Sequence, residues 1–357
     1  MRALVVHPGP AWATADVYRG WVRGLIANGV NVREFNLDDR LAFYSNSGIV
    51  IPTERCDSCG RDDEFVKWFD SDADVVRAVG QGLHAACYQF DPDVVLVISA
   101  AFLPAYVYDV IRQRSRTKVV IVHTESPYED ERQMLLAGHA DVHLLNDPTN
   151  LERWRTVNAS TWYVPHSYDP TVHTPGPSRF DHDVVWVGTA GNTFESRTRF
   201  MERVDWSGID VGLGGLWQGL DDDSPLVPLV MDGMGECVDN DVTVELLRGA
   251  RMTFNLYRSD GIDGSFAGGW AMGPREVEAV STGCFMARHS PPNHGGEGDE
   301  ILPMLPRFTD PDELGDIVRH YLAHPDRRTE LAAAARAAVA DRTFEHHAAD
   351  LLRRLNP

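Results

Sequence analysis

The sequence predicts an α/β protein made of two doubly wound, Rossmann-like domains. Three observations carry that expectation. Short apolar strands alternate with helical segments over the first half of the chain, the alternation stops at a proline-rich stretch, and it then restarts before a helical tail. Continuous apolar strands separated by helices mark a parallel sheet covered on both faces. A chain of 357 residues is also longer than one ordinary core accommodates.

The elements follow in order. Residues 2–7 read as a strand, 14–28 have helical periodicity ending near Gly29, and 30–37 form the next strand. DVVLVIS (93–99), KVVIVH (118–123), 141–145 and 161–164 continue the strand series. Residues 40–62 fit no clear period and read as a surface excursion. VPHSYDPTVHTPGPSRF, residues 164–180, holds four prolines and a glycine and suits a stiff linker. Beyond it come a strand at 183–187, a helix at 195–204, and a strand at 209–213. A helix at 241–248 and the strand RMTFNL (251–256) follow, and the tail from Pro311 to Leu355 is almost wholly helical. The expected organisation is a domain at 1–165, a linker at 166–180, a second domain at 181–340, and a terminal helix at 341–357 that packs back on the first domain. A central cleft between the domains is expected, with ligands at the carboxyl ends of the strands.

Composition narrows the function. The net charge of −20 disfavours nucleic acid as main partner, because phosphate backbones are bound by Lys/Arg surfaces. No apolar run approaches the ~20 residues of a membrane-spanning helix, and the N-terminus MRALVVHPGP lacks the pattern of a signal peptide. A soluble, cytoplasmic protein without membrane insertion is the expectation. The five cysteines, Cys56, Cys59, Cys87, Cys237 and Cys284, are odd in number and scattered, which does not suggest a disulfide framework. Cys56, Cys59, His84 and Cys87 have spacings compatible with a zinc site, but His84 and Cys87 fit the inner face of a helix equally well. Asp221, Asp222 and Asp223 resemble an acidic metal motif; a solvated turn is the favoured reading.

The stretch MGPREVEAVSTGCFMA, residues 272–287, carries the most specific local chemistry. Pro274 fits the first helical position after Gly273, and Gly283 fits the C-terminal cap. Val277 and Val280 form a buried stripe, and Arg275 and Glu278, three apart, share another face. The loop upstream, SDGIDGSFAGGWAMG, has five glycines before the helix and could deliver its N-terminus to a diphosphate. Arg275 is then placed to neutralise phosphate charge and Glu278 to accept from ribose hydroxyls. The competing reading is an acidic first turn complementing the helix dipole, with a solvated arginine. In the first half, His123 and Glu125 stand at a strand end, where they suit proton handling or donor-sugar binding, or simply a satisfied histidine and a helix cap. His166 and His173 read as structural. Gly9, after the first strand, permits close backbone approach to a ligand.

The C-terminal half resembles the CgeB-like (spore-maturation) glycosyltransferases, members of the GT-B group of retaining, family-four-like enzymes. The resemblance rests on DVVWVGTAGNTFESRTRFMERV, VTVELLRGARMTFNLYR, GPREVEAVSTGCFMA and FTDPDELGDIVRHYLAHPDRRTELAAAARAAV occurring in that order, with the linker VPHSYDPTVHTPG before them. It covers roughly residues 164–350; the first half is similar only through HPGPAWATADVYRGWVRGL and IVHTESPYEDE. The resemblance implies transfer of a sugar from a nucleotide-diphosphate donor, with a UDP-sugar as default and no metal or other cofactor. It implies Glu278 on the ribose, Arg275 on the diphosphate, and Gly188 and Arg197 facing the phosphates. Gly9, Asn255 and Gly273 complete the expected donor contacts, with His123, Glu125 and Arg275 in catalysis. The chain departs from the pattern in lacking the glutamate eight positions before Glu278, where Trp270 stands, and the lysine near Arg197. The acceptor stays open among protein, glycan, metabolite and, less favoured, DNA. A nucleotide-sugar epimerase and a non-catalytic sugar-binding or assembly protein are the alternative readings on the same fold.

Overall fold

In the computed structural model of the chain, all residues are described except 11–13, 53–62, 68, 70, 115, 234, 236–237, 258–267, 292–295 and 356–357. The chain divides into two compact units. The first comprises Met1–Glu125, Glu129–Leu145 and Leu151–Trp162. The second comprises Ser126–Tyr128, Asn146–Asn150 and Tyr163–Pro357, so the segments 166–180 and 341–357 both lie within it.

The first unit runs β1 (Arg2–Val6), α1 (Ala15–Ala27), β2 (Asn31–Phe35), α2 (Leu37–Asn46), β3 (Gly48–Pro52), β4 (Asp63–Lys67), α3 (Asp72–Phe90), β5 (Val94–Ile98), α4 (Ala105–Arg112), β6 (Lys118–His123), α5 (Asp130–Gln133), β7 (Val142–Leu145), α6 (Leu151–Val157) and β8 (Thr161–Tyr163). Its sheet has the order β2-β1-β5-β6-β7-β8. The β1–β2, β1–β5, β5–β6 and β6–β7 pairs are parallel, with Val5 opposite Leu96, Leu96 opposite Val120, and Val120 opposite Val142. Every residue of β5 is buried, as expected for a strand covered on both faces. Leu83, Val79 and Val107 from α3 and α4 complete one side of the core.

The sequence missed one helix here. Residues 37–46, most of them inside the expected irregular excursion, form α2, capped by Asn36, whose side-chain oxygen accepts from Asp39 N–H at 3.1 Å. Only Leu37 of this helix is buried, with Leu41 and Tyr44 packed partly against the same core, so its apolar stripe is short. The antiparallel hairpin β3–β4 follows.

The second unit runs β9 (His182–Thr189), α7 (Glu195–Glu202), β10 (Val211–Leu216), α8 (Asn240–Gly249), β11 (Ala250–Phe254), α9 (Pro274–Ser281), β12 (Phe285–His289), α10 (Gly296–Ile301), β13 (Arg307–Phe308), α11 (Pro311–Ala323), α12 (Pro325–Ala338) and α13 (Phe344–Leu355). The five strands pair in parallel in the order β10-β9-β11-β12-β13. Trp186, Met252, Phe254, Val277, Val280 and Met286 lie at the centre of its core. The proline-rich segment is held by hydrogen bonds within the second unit. Arg248 donates to the carbonyls of Val172 and Thr174 at 2.8 and 2.7 Å, and Tyr168 bridges to Thr343 just before α13. Among the described residues no helix is long and apolar enough to cross a membrane.

Candidate functional site

The parallel order of the second sheet places the carboxyl ends of β9 and β11 and the N-termini of α7 and α9 along one edge. That edge is where ligands bind in open α/β folds. Gly188, Arg197, Asn255, Gly273, Arg275 and Glu278 all belong to it.

The entry to α9 is held by three buried carboxylates. Four consecutive backbone N–H groups are engaged: Trp270 and Ala271 both donate to Asp147 Oδ2 at 2.8 Å, Met272 to Glu297 Oε2 at 2.8 Å, and Gly273 to Glu276 Oε2 at 2.8 Å. Glu276, at the third helical position, thus supplies the reverse half of a capping box, reaching back to its own N-cap. Its burial is complete. Arg288 Nε donates to its other oxygen at 3.3 Å, and the Tyr257 hydroxyl donates to Oε2. Burial pushes the Glu276 carboxyl above its ordinary range, against the pull of Arg288, the Tyr257 hydroxyl and the Gly273 N–H. Glu297 Oε1 accepts from Tyr163 Oη at 2.5 Å and from Arg342 at 2.7 Å.

Beyond this clamp, Arg275 Nη1 donates to Glu278 Oε2 at 2.9 Å, the contact that three-residue helical spacing predicts. The Arg275 side chain is 34% exposed and that of Glu278 14%. His173 Nε2 lies 3.9 Å from Glu278 Oε1. The helix ends as expected, with Gly283 at φ +84° donating to Val280 O.

At the end of β9 the backbones approach closely. A Cβ on Gly215, at φ +107°, would lie 1.9 Å from the carbonyl oxygen of Gly188. Arg197 donates to Thr189 O at 2.9 Å, and its guanidinium lies over the Phe194 and Trp186 rings. Asn255 is buried: its Oδ1 accepts from His289 N–H at 2.7 Å and its own N–H donates to Ala287 O, joining the ends of β11 and β12. Residues 259–267 of the glycine-rich loop lie outside the described residues.

Gly9, His123 and Glu125 belong to the first unit. Gly9 has φ +95°, a conformation that favours glycine, and a Cβ there would also meet the Phe102 ring at 2.6 Å. Glu125 is half-buried in the turn after β6, its carbonyl accepting from Glu129 N–H. His123 is fully buried, and both ring nitrogens are engaged. His143 Nε2 faces the Ala137 carbonyl at 3.1 Å and must carry a proton there, so His143 Nδ1 accepts from His123 Nε2–H at 2.9 Å. His123 Nδ1 is then an acceptor, satisfied when the Gln133 amide, 3.0 Å away, turns its N–H toward it. Burial and the neighbouring imidazole hold His123 well below its ordinary pKa, and burial takes His143 down to about 4.

In the second unit His173 is buried and His166 half-buried, His166 accepting from Asn146 Nδ2 at 2.6 Å. His84 Nε2 donates to Val107 O at 2.9 Å, and burial pushes the Cys87 thiol up to about 12. Cys56 and Cys59 lie outside the described residues. Asp221, Asp222 and Asp223 form an exposed turn.

With this architecture the chain has the GT-B glycosyltransferase fold: two parallel-sheet α/β units matching solved GT-B structures. Residues 197–353 match the family model described as "Glycosyl transferase-like", a segment that holds α9 and its flanking loops. Sucrose-phosphate synthase from Thermosynechococcus elongatus is similar at a TM-score of 0.64 and 14% identity, over 99% of each chain. Anabaena Alr3699/HepE in complex with UDP-glucose is similar at 0.60 and 12% identity, over 99% of this chain and all of that one. A putative UDP-N-acetylglucosamine 2-epimerase from Listeria monocytogenes is similar at 0.59 and 13%, over 99% of this chain and 94% of the other. No curated protein sequence matches the chain.

Proposed function

We propose that the protein is a glycosyltransferase that moves a sugar from a nucleotide-diphosphate donor to an acceptor hydroxyl. The observation that carries this reading is the Arg275–Glu278 pair, partly exposed through Arg275 at the N-terminal turns of α9 and on the same sheet edge as Gly188 at the end of β9. The reaction forms a bond between the acceptor oxygen and the anomeric carbon. It breaks the bond from that carbon to the β-phosphate oxygen, releasing a nucleoside diphosphate. The developing charge on the leaving group is met by Arg275 and the helix N-terminus, with Arg197 nearby along the edge. Glu278 accepts from the ribose hydroxyls. Gly188, Asn255 and Gly273 shape the backbone around the nucleotide. This account uses no metal, and a retaining outcome and a UDP-sugar are its default choices, the latter supported by likeness to a protein solved with UDP-glucose.

Of the first-unit residues, Glu125 carries the half-buried carboxylate, and the reading assigns it the acceptor proton. It places no proton transfer on His123, whose two nitrogens are used in the buried chain to Gln133 and His143. Gly9 is assigned to close approach at the end of β1.

Thermal-shift titration with nucleoside diphosphates tests the reading. A ligand at a hundredfold its dissociation constant stabilises by about 2.7 kcal/mol. Glu278→Ala is expected to weaken nucleotide binding with the fold intact, and Arg275→Ala to cost more for the diphosphate than for the nucleoside. Unchanged affinity in Glu278→Ala, or equal losses for both ligands in Arg275→Ala, counts against the assigned roles. Likeness to the putative epimerase supports a second reading. Conversion of a nucleotide sugar to its epimer without acceptor would favour it over transfer.

A further inference from the structure

We propose that Asp147 is a positioning residue for the donor, acting through the backbone of Trp270 and Ala271; this rests on the donor reading above. Asp147 lies 123 residues from Trp270 in sequence, yet one of its carboxylate oxygens accepts both N–H groups at 2.8 Å. Its other oxygen accepts from Thr149 N–H at 2.8 Å, which fixes the side chain on its own turn. The carboxylate is 2% exposed. Hydrogen bonds to an ionised acceptor are roughly twice as strong as neutral ones, so the oxygen shared by the two N–H groups is a firm seat.

The strip lies flat on that seat. A Cβ on Gly269 would be 2.7 Å from Asp147 Oδ2 and 3.2 Å from the Pro127 ring, so position 269 accepts glycine only. Glu276 and Glu297 hold the next two N–H groups, and each has a guanidinium partner, Arg288 and Arg342. Three backbone N–H groups, of Thr149, Trp270 and Ala271, donate to the Asp147 carboxylate. Because Glu297 and Glu276 fix Met272 and Gly273 directly after it, Asp147 sets where the strip begins. The direction in which α9 presents Arg275 and Glu278 follows from that.

The test compares wild-type protein with Asp147→Ala, Asp147→Asn and Gly269→Ala. Each is titrated by calorimetry with UDP, GDP, ADP and dTDP, well below its own melting temperature. Asp147→Ala and Gly269→Ala are expected to bind the recognised diphosphate at least tenfold more weakly. Asp147→Asn, whose carboxamide oxygen still accepts both N–H groups, is expected to recover part of the loss. A residue that only stabilises the fold would lower the melting temperature and leave these affinities unchanged. Affinities within twofold of wild type in Asp147→Ala and Gly269→Ala would overturn the inference while leaving the donor reading intact. Should Asp147→Ala fail to fold, Gly269→Ala and Asp147→Asn decide the matter by the same criterion. A wild-type protein that binds none of the four diphosphates would overturn the donor reading and this inference together.

Discussion

At the scale of single residues, the two glutamates of the α9 first turns have separate tasks. Glu276 points inward, capping Gly273 and meeting Arg288, whereas Glu278 keeps a partly exposed place beside Arg275. The sequence showed the Arg275–Glu278 pairing directly, because three-residue spacing puts both on one face. The inward turn of Glu276, which caps Gly273, goes beyond the expected acidic first turn complementing the helix dipole. Asp147 was not legible, since nothing in sequence spacing links it to Trp270. A satisfied histidine was one of the two expected readings of His123, but its partners, from α5 and β7, have no signal in sequence spacing. Glu276 and Arg288 are both fully buried, so removing one leaves the other's charge uncompensated. Glu276→Ala is therefore expected to lose about 3–5 kcal/mol in urea unfolding. The double replacement Glu276→Leu, Arg288→Met is expected to be less harmful than either single change, which a double-mutant comparison would show.

At the scale of elements, strands were read most faithfully. KVVIVH coincides with β6 to the residue, and β1, β5 and β7 are within two residues of expectation. Continuous burial on both faces writes itself into composition as an apolar run. Helix α2 escaped because its apolar stripe is short, with Leu37 buried and Leu41 and Tyr44 only partly so. The β9–β10 pair contains a position where sequence identity is dictated by backbone proximity. Gly215→Ala would set a methyl group 1.9 Å from Gly188 O at a positive φ. The expected cost is about 1–3 kcal/mol in backbone strain alone, read as a lowered melting temperature. Weakened nucleotide binding would accompany it if the Gly188 turn contacts the donor.

At the scale of the whole molecule, acid lability follows from buried and half-buried imidazoles. His143, His166 and His347 are each held down to about 4, and His123 lies well below its ordinary value, in every case chiefly through burial. In the unfolded chain these groups take up protons near pH 6.5. The unfolded state therefore binds more protons below that point, and the stability from keeping them neutral is complete above pH 6.5 and lost as pH falls from 6.5 toward 4. Urea midpoints should be level between pH 8 and 7 and fall from pH 6.5 to 5. A flat profile through that window would count against neutral burial. The carboxylate clamp has a consequence for how the chain can be divided. Its acceptors come from residues 147, 276 and 297, so a fragment beginning at Tyr163 would carry most of the second unit yet lack the seat for Trp270 and Ala271. The stretch from Tyr163 onward is not a transplantable module: grafted or expressed alone, it would leave behind one of its own cornerstones.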